Sequence, residues 1–110
     1  MGKINSRDKG ARGERMFAAL LREHGYEAER GCQHSGGKDS PDIKTNMPNV
    51  HWEVKFVEKL NIVTAMEQSK CDAGENEMPF VAHKRNRTEW LVTMRFTDFI
   101  ELFKKGQNNG

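Results

Sequence analysis

The chain is expected to fold as an α/β domain, a mixed β-sheet flanked by α-helices in the order α-β-β-β-α-β-β-α. Three observations carry that expectation. Apolar residues recur at helical spacing in three segments, 7–24, 61–73 and 96–103. They alternate at period two through Val50, Trp52, Val54 and Phe56. Cap and stop residues stand where one pattern gives way to the other. At 110 residues the chain suits one domain (1–110, core about 7–104).

Each element has a local reason. Ser6 can cap a first helix from Arg7 to His24, with Gly25 as its stop and Phe17, Leu20, Leu21 and His24 as its inward stripe. Tyr26 to Gly31 reads as a strand. Residues 32–40, Cys-Gln-His-Ser-Gly-Gly-Lys-Asp-Ser, are polar and glycine-bearing and read as a flexible loop. A short strand over Asp42–Thr45, a turn through Asn46–Asn49 and a strand over Val50–Val57 follow, the two strands expected to pair as a hairpin. Asn61 can cap a second helix to Ala73, with Ile62, Ala65, Met66 and Ser69 on one face. Pro79–Lys84 and Glu89–Arg95 read as strands joined by a basic turn. Thr97 is expected to cap a last short helix striped by Phe96, Phe99, Ile100 and Phe103. The polar tail from Gly106 is expected to be disordered.

Composition narrows the class. Charged residues make up 31% and nearly balance, at a formal +2. A nucleic-acid partner therefore has to be argued from clustering rather than net charge. Lys3, Arg7, Lys9, Arg12 and Arg15 crowd the start, and Lys84, Arg85 and Arg87 crowd one turn. Two cysteines, Cys32 and Cys71, without CxxC spacing make no disulfide framework. No apolar run reaches the length of a membrane span. A soluble, cytoplasmic protein with no membrane partner is expected.

One stretch raises the chemical question. His51, Glu53 and Lys55 sit between the apolar residues of their strand, so they share the opposite face, with Glu53 and Lys55 about 7 Å apart. The bland reading is a solvated face with a loose charge pair. Asp42, after Pro41 on the preceding strand, can bring a second carboxylate to one side of the sheet. Carboxylates plus waters are the usual Mg²⁺ ligands on phosphate substrates, and a nearby lysine lowers the cost of negative charge in the transition state. Glu14 is a further anomaly. At about 100° per residue it falls within about 20° of Leu21, in the apolar stripe, where an unpaired carboxylate is costly. It is either a tolerated acid near a helix start or a group aimed at a cation held by Asp42 and Glu53. Gln68, bordering the second helix's stripe, can hold a water or a substrate oxygen, or be plain surface. His51 reads more simply as a strand-end histidine than as a substrate contact.

Taken in order, Gly13-Glu14-Arg15, Ser40-Pro41-Asp42, Glu53-Val54-Lys55 and Gln68 resemble the PD-(D/E)XK nuclease superfamily. The short chain and its Lys-Gly-Ala-Arg-Gly-Glu-Arg opening look most like the small Holliday junction resolvases of archaea and their phage relatives. The similarity spans about residues 7–104. It implies a restriction-endonuclease-like fold and Mg²⁺-dependent phosphodiester hydrolysis, with Mn²⁺ able to substitute. It also implies metal ligands at Asp42, Glu53 and the Val54 carbonyl, completed by Glu14, with Lys55 orienting or activating the water and Gln68 in the catalytic set. DNA contacts are expected from Arg12, Arg15, Arg30, Ser35, Lys38, Ser40, Lys84, Arg85 and Arg87, with Ser35 and Ser40 both candidates for the loop serine near the backbone. The expected substrate is a four-way DNA junction and the expected working unit a homodimer. The rival readings are a nickase or restriction-type nuclease on duplex or flap DNA, and a silent nucleic-acid-binding module on the same fold.

Overall fold

The computed structural model describes residues 6–31 and 42–108. The element order is α1 (Ser6–Glu23), β1 (Ala28–Arg30), β2 (Ile43–Thr45), β3 (Val50–Phe56), α2 (Ile62–Asp72), β4 (Met78–Lys84), β5 (Leu91–Met94) and α3 (Phe96–Asn108). The expected sequence of elements is the one found.

Local chemistry sets the helix ends. Gly25 takes φ 94°, a left-handed conformation that costs glycine little. There its N–H reaches the Arg22 carbonyl at 3.0 Å and that of Tyr26 reaches the Leu21 carbonyl at 3.1 Å, closing α1 with a Schellman motif. The turn takes His24 out of the helix, so His24 is exposed instead of continuing the apolar stripe. At α2 the Asn61 side chain accepts from the Thr64 N–H at 3.1 Å, the expected N-cap. Two expectations fail at α3. Its first turn closes on the Arg95 carbonyl, which accepts from the N–H groups of Asp98 and Phe99. Thr97 therefore lies inside the helix, and Asp98, paired with Arg95 at 2.8 Å, secures the start. The helix also runs through Gly106 to Asn108 rather than giving way to a disordered tail.

The described strands form two ladders. β3 runs parallel to β4, and β4 antiparallel to β5. β1 and β2 pair antiparallel with each other. The expected hairpin between β2 and β3 is absent. Instead the Asp42 side chain, just ahead of β2, takes the Val54 N–H at 3.0 Å, so a carboxylate stands where a strand carbonyl would have been.

Helices cover both faces of β3. On one side Trp52 and Val54 join Phe17, Ala18 and Leu21 of α1 in the core, which extends to Ala28, Ile43, Phe80 and Ala82. Phe17 sits edge-on to Trp52, with ring centroids 4.7 Å apart, and meets Trp90 at 5.1 Å. On the other side α2 packs over β3 and β4, with the buried Ser69 donating to the Phe80 carbonyl at 2.9 Å. The face of His51 and Glu53 is therefore buried, against the bland reading of a solvated face with a loose charge pair. That burial follows from the β3-α2-β4 connection, which lays a helix across a parallel pair.

Gly13 of α1 is buried against Phe56 of β3. A Cβ there would lie 2.6 Å from the Phe56 Cβ, an atom fixed to the strand backbone. Gly13→Ala is expected to lower stability by roughly 1–3 kcal/mol through overpacking, although alanine is the better helix former. A urea unfolding midpoint at or above that of the parent protein would contradict this packing.

Candidate functional site

Glu14 from α1, Asp42 ahead of β2, Glu53 and Lys55 of β3 and Gln68 of α2 line one cleft of ≈ 620 Å³. Residues far apart in the chain meet there because α1 and α2 flank β3 while the Asp42–Val54 bond draws the start of β2 against it. Gln68 is exposed at the rim. Glu53 lies at the base, with 3% of its surface accessible.

Glu53 is held from two sides. The Lys55 Nζ stands 3.4 Å from its Oε2, and the His51 Nε2 stands 3.9 Å from its Oε1. Burial raises the Asp42 carboxyl to about 7, reinforced by the charge of Glu53 and, more weakly, of Glu14, against the lowering by the Val54 N–H and Lys55. Two acids crowded in a water-poor place form a donor set that a hard divalent cation satisfies. Burial opposes the charged form of His51, yet the Glu53 carboxylate, with Glu77 and Asp42, outweighs it and lifts the imidazole above its ordinary value.

Glu14 is buried, and its Oε1 accepts from the Arg30 Nε at 2.7 Å. The anomaly in the helical stripe thus has a partner that periodicity could not name. The Arg30 guanidinium, expected from the sequence among the DNA contacts, pairs with Glu14 while its side chain stays 37% exposed.

The two basic clusters converge on Phe56. Lys9, Arg12 and Lys84 stand over its ring at 4.8, 5.8 and 5.5 Å from the centroid. Phe56, itself buried, organises a cationic rim beside the cleft. Lys84 is also tied to the Thr88 carbonyl at 2.7 Å, which braces the turn. Arg85 and Arg87 are exposed at its tip and Arg15 is exposed on α1. Ser35, Lys38 and Ser40 fall outside the described residues.

The arginines at this tip suit sequence-blind contact with phosphates. Replacing Arg85 and Arg87 together by alanine is expected to weaken binding to every DNA tested and to reduce the salt slope of log K by up to about 2. A loss confined to one sequence, read by titration at several salt concentrations, would show base contacts instead.

Sequence reasoning passed over Asp72. It closes α2 and lies with His51 and Glu53 in a group whose ligand atoms are all within 4.8 Å of one another. Its one sequence signal was an acid at the last residue of a helix, where the macrodipole disfavours negative charge.

A family model described as archaeal Holliday junction resolvase (Hjc) matches residues 5–107. Among solved structures, a 1.6 Å structure of Archaeoglobus fulgidus Hjc, a Holliday junction resolvase from an archaeal hyperthermophile, matches with a TM-score of 0.58 and 28% identity. The match covers 78% of this chain and 72% of that one. A search of curated proteins gave no significant match.

Proposed function

The chain belongs to the archaeal Holliday junction resolvase family, and from that premise we propose that it resolves four-way DNA junctions by Mg²⁺-dependent phosphodiester hydrolysis at the Glu14–Asp42–Glu53–Lys55 cleft. One observation carries the reading: these four residues and Gln68, from α1, the position just ahead of β2, β3 and α2, line a single cleft.

In this reading Asp42, Glu53 and the Val54 carbonyl hold the cation, with Mn²⁺ able to replace Mg²⁺. The Val54 N–H faces Asp42, and a strand residue's carbonyl leaves on the same side as its N–H. Both groups of Val54 therefore serve the Asp42 side of β3. The cation would supply charge neutralisation at the phosphate and a more acidic water. The chain's own residues do the rest. Lys55, beside Glu53, orients the attacking water and offsets the charge gathering on the phosphate oxygens. Arg30 fixes the Glu14 carboxylate through one oxygen, leaving the other for a water of the metal shell. Gln68 holds a substrate oxygen at the rim, and Lys9, Arg12, Arg15, Arg85 and Arg87 hold backbone phosphates.

The working unit is proposed to be a homodimer. A junction has two strands to cut, related by approximate two-fold symmetry, and each chain carries one site, so an isologous pair supplies both. The sequence offers Trp90, Val92 and Met94 of the last strand and Phe99, Ile100 and Phe103 of the last helix as apolar surface for it. Trp90 and Met94 pack against the core, which leaves Leu91 and Val92 exposed on β5, at one edge of its sheet. Phe96, at 74% exposure, joins Phe99, Leu102 and Phe103 along α3. Among the described residues α3 packs extensively against no other element. Light scattering at micromolar concentration should give about twice the 12.6 kDa chain mass. A clean monomer that still makes paired cuts would overturn the dimer.

The substrate is tested by offering a four-way junction beside a linear duplex and a flap, with and without Mg²⁺. Paired cuts confined to the junction and dependent on the metal support the reading. Equal cutting of duplex or flap would favour a restriction-type or nicking nuclease.

A further inference from the structure

We propose that His51, Glu53 and Asp72 form a second divalent-cation site, distinct in chemistry from the oxygen-only site at Asp42. One ring nitrogen of His51 and one carboxylate oxygen each from Glu53 and Asp72 lie within 4.8 Å of one another. Ligands sharing an ion at about 2.1 Å in tetrahedral geometry stand roughly 3.4 Å apart. Small side-chain rotations would close that difference, and Asp72 has room for them as a half-exposed residue at the end of α2.

A cluster of acids alone would not carry this. His51 does. Its side chain is 6% exposed, and its Nε2 has no hydrogen-bond partner while standing 3.9 Å from the Glu53 Oε1. Leaving a buried polar atom unmatched is costly. The other such atom among the described residues, the Trp52 Nε1, is an N–H that no cation can use, and Trp52 belongs to the opposite face of the strand. The imidazole nitrogen is different, because once it gives up its proton to solvent it is a metal ligand. Glu77, also near His51, has its Oε1 engaged by the Gly74 N–H at 2.7 Å and is not among the atoms that cluster within 4.8 Å. Asp72 supplies the third donor, and a cation there would relieve the unfavourable charge at the C-terminal end of α2.

One nitrogen and two carboxylates make a borderline donor set that suits Zn²⁺ and its neighbours better than Mg²⁺. A cation at this site takes the Oε1 side of Glu53 and leaves Oε2, the oxygen facing Lys55, for the proposed catalytic ion. The site would then act as a positioning device for Glu53. The shared carboxylate links this inference to the proposed function, but the site itself rests only on His51, Glu53 and Asp72.

The test is calorimetric titration of Zn²⁺ into the full chain in excess Mg²⁺, comparing the parent protein with His51→Gln, Asp72→Asn and Asp42→Asn. The expected result is one Zn²⁺ bound by the parent and by Asp42→Asn. His51→Gln and Asp72→Asn should each weaken it by at least the roughly 10–100-fold that loss of an outer-sphere partner costs. Imidazole ¹⁵N spectra of the parent protein need no variant, and should show the His51 Nε2 resonance moving with Zn²⁺. Unchanged affinity in His51→Gln, or Zn²⁺ shifts confined to His24, His34 or His83, would overturn the site. Because no readout involves cleavage, failure here leaves the nuclease reading untouched, and failure of the nuclease reading leaves this site untouched.

Discussion

Lys55→Ala is expected to slow cleavage of a bound junction by roughly 10²–10³-fold while leaving junction affinity within a few-fold of the parent protein. The reason is where the ammonium sits. It is 3.4 Å from the Glu53 Oε2, on a strand whose neighbouring positions are buried, so its charge is aimed into the cleft and not out along a DNA backbone. In the proposed reaction a group in that place acts on charge that develops during the chemical step, so its loss is expected in turnover. The exposed Arg85 and Arg87 should give the opposite pattern, with binding lost and single-turnover cleavage of saturated complex retained. Measuring Kd with the metal withheld and then the single-turnover rate separates the two cases. If affinity and rate fall together for Lys55→Ala, the lysine is a phosphate contact and the proposed chemistry needs another water-orienting group.

Asp42→Asn should have an effect of similar size on cleavage, and a second effect that reverses sign with the metal. In the metal-free protein Asp42 is lifted from an ordinary 3.8 to about 7, chiefly by burial and then by the charge of Glu53. Between about pH 4 and pH 7 the folded chain therefore holds a proton that the unfolded chain has released. The stability this represents is fully present below about pH 4 and is lost as pH rises through 7. Three units amount to roughly 4 kcal/mol. The asparagine keeps an oxygen for the Val54 N–H and carries no charge. Without metal at pH 8, Asp42→Asn should thus melt higher than the parent protein. Adding Mg²⁺ should raise the Tm of the parent and barely move that of the variant, because the cation offsets the same repulsion that the mutation removes. An equal Mg²⁺ shift in both proteins would place the metal away from Asp42.

The parts of this molecule that were legible in advance are those written in short-range signals. Gly25 after an apolar stripe marks the end of α1, Asn61 marks the start of α2, and the alternation from Val50 to Phe56 marks β3. The candidate site could be anticipated because its acids break those same patterns: Glu14 sits in a helical stripe and Glu53 on a strand face with His51 and Lys55. What could not be read was partnership. Nothing near Asp42 says that its carboxylate will replace a strand carbonyl at Val54, or that β2 will pair with β1. The Arg30–Glu14 pair joins residues 16 positions apart, and Lys9, Arg12 and Lys84 find the same ring from separate elements. The burial of the His51–Glu53 face by a helix was not legible either, because α2 carries no sign of which strand face it will cover. At α3 the pattern misled at both ends: Thr97 resembles a cap while the Arg95 carbonyl does the closing, and Gly106 resembles a stop inside a helix that continues past it.

In the proposed reaction the half-buried carboxylate of Asp42 and the buried carboxylate of Glu53 hold the cation. Anomalous scattering from Mn²⁺ in crystals of the chain tests it most directly. The account predicts a peak between Asp42, Glu53 and the Val54 carbonyl that disappears in Asp42→Asn. Ordered Mn²⁺ elsewhere in the crystal, beside His51 and Asp72 or on the surface, with no peak between Asp42 and Glu53, would contradict it.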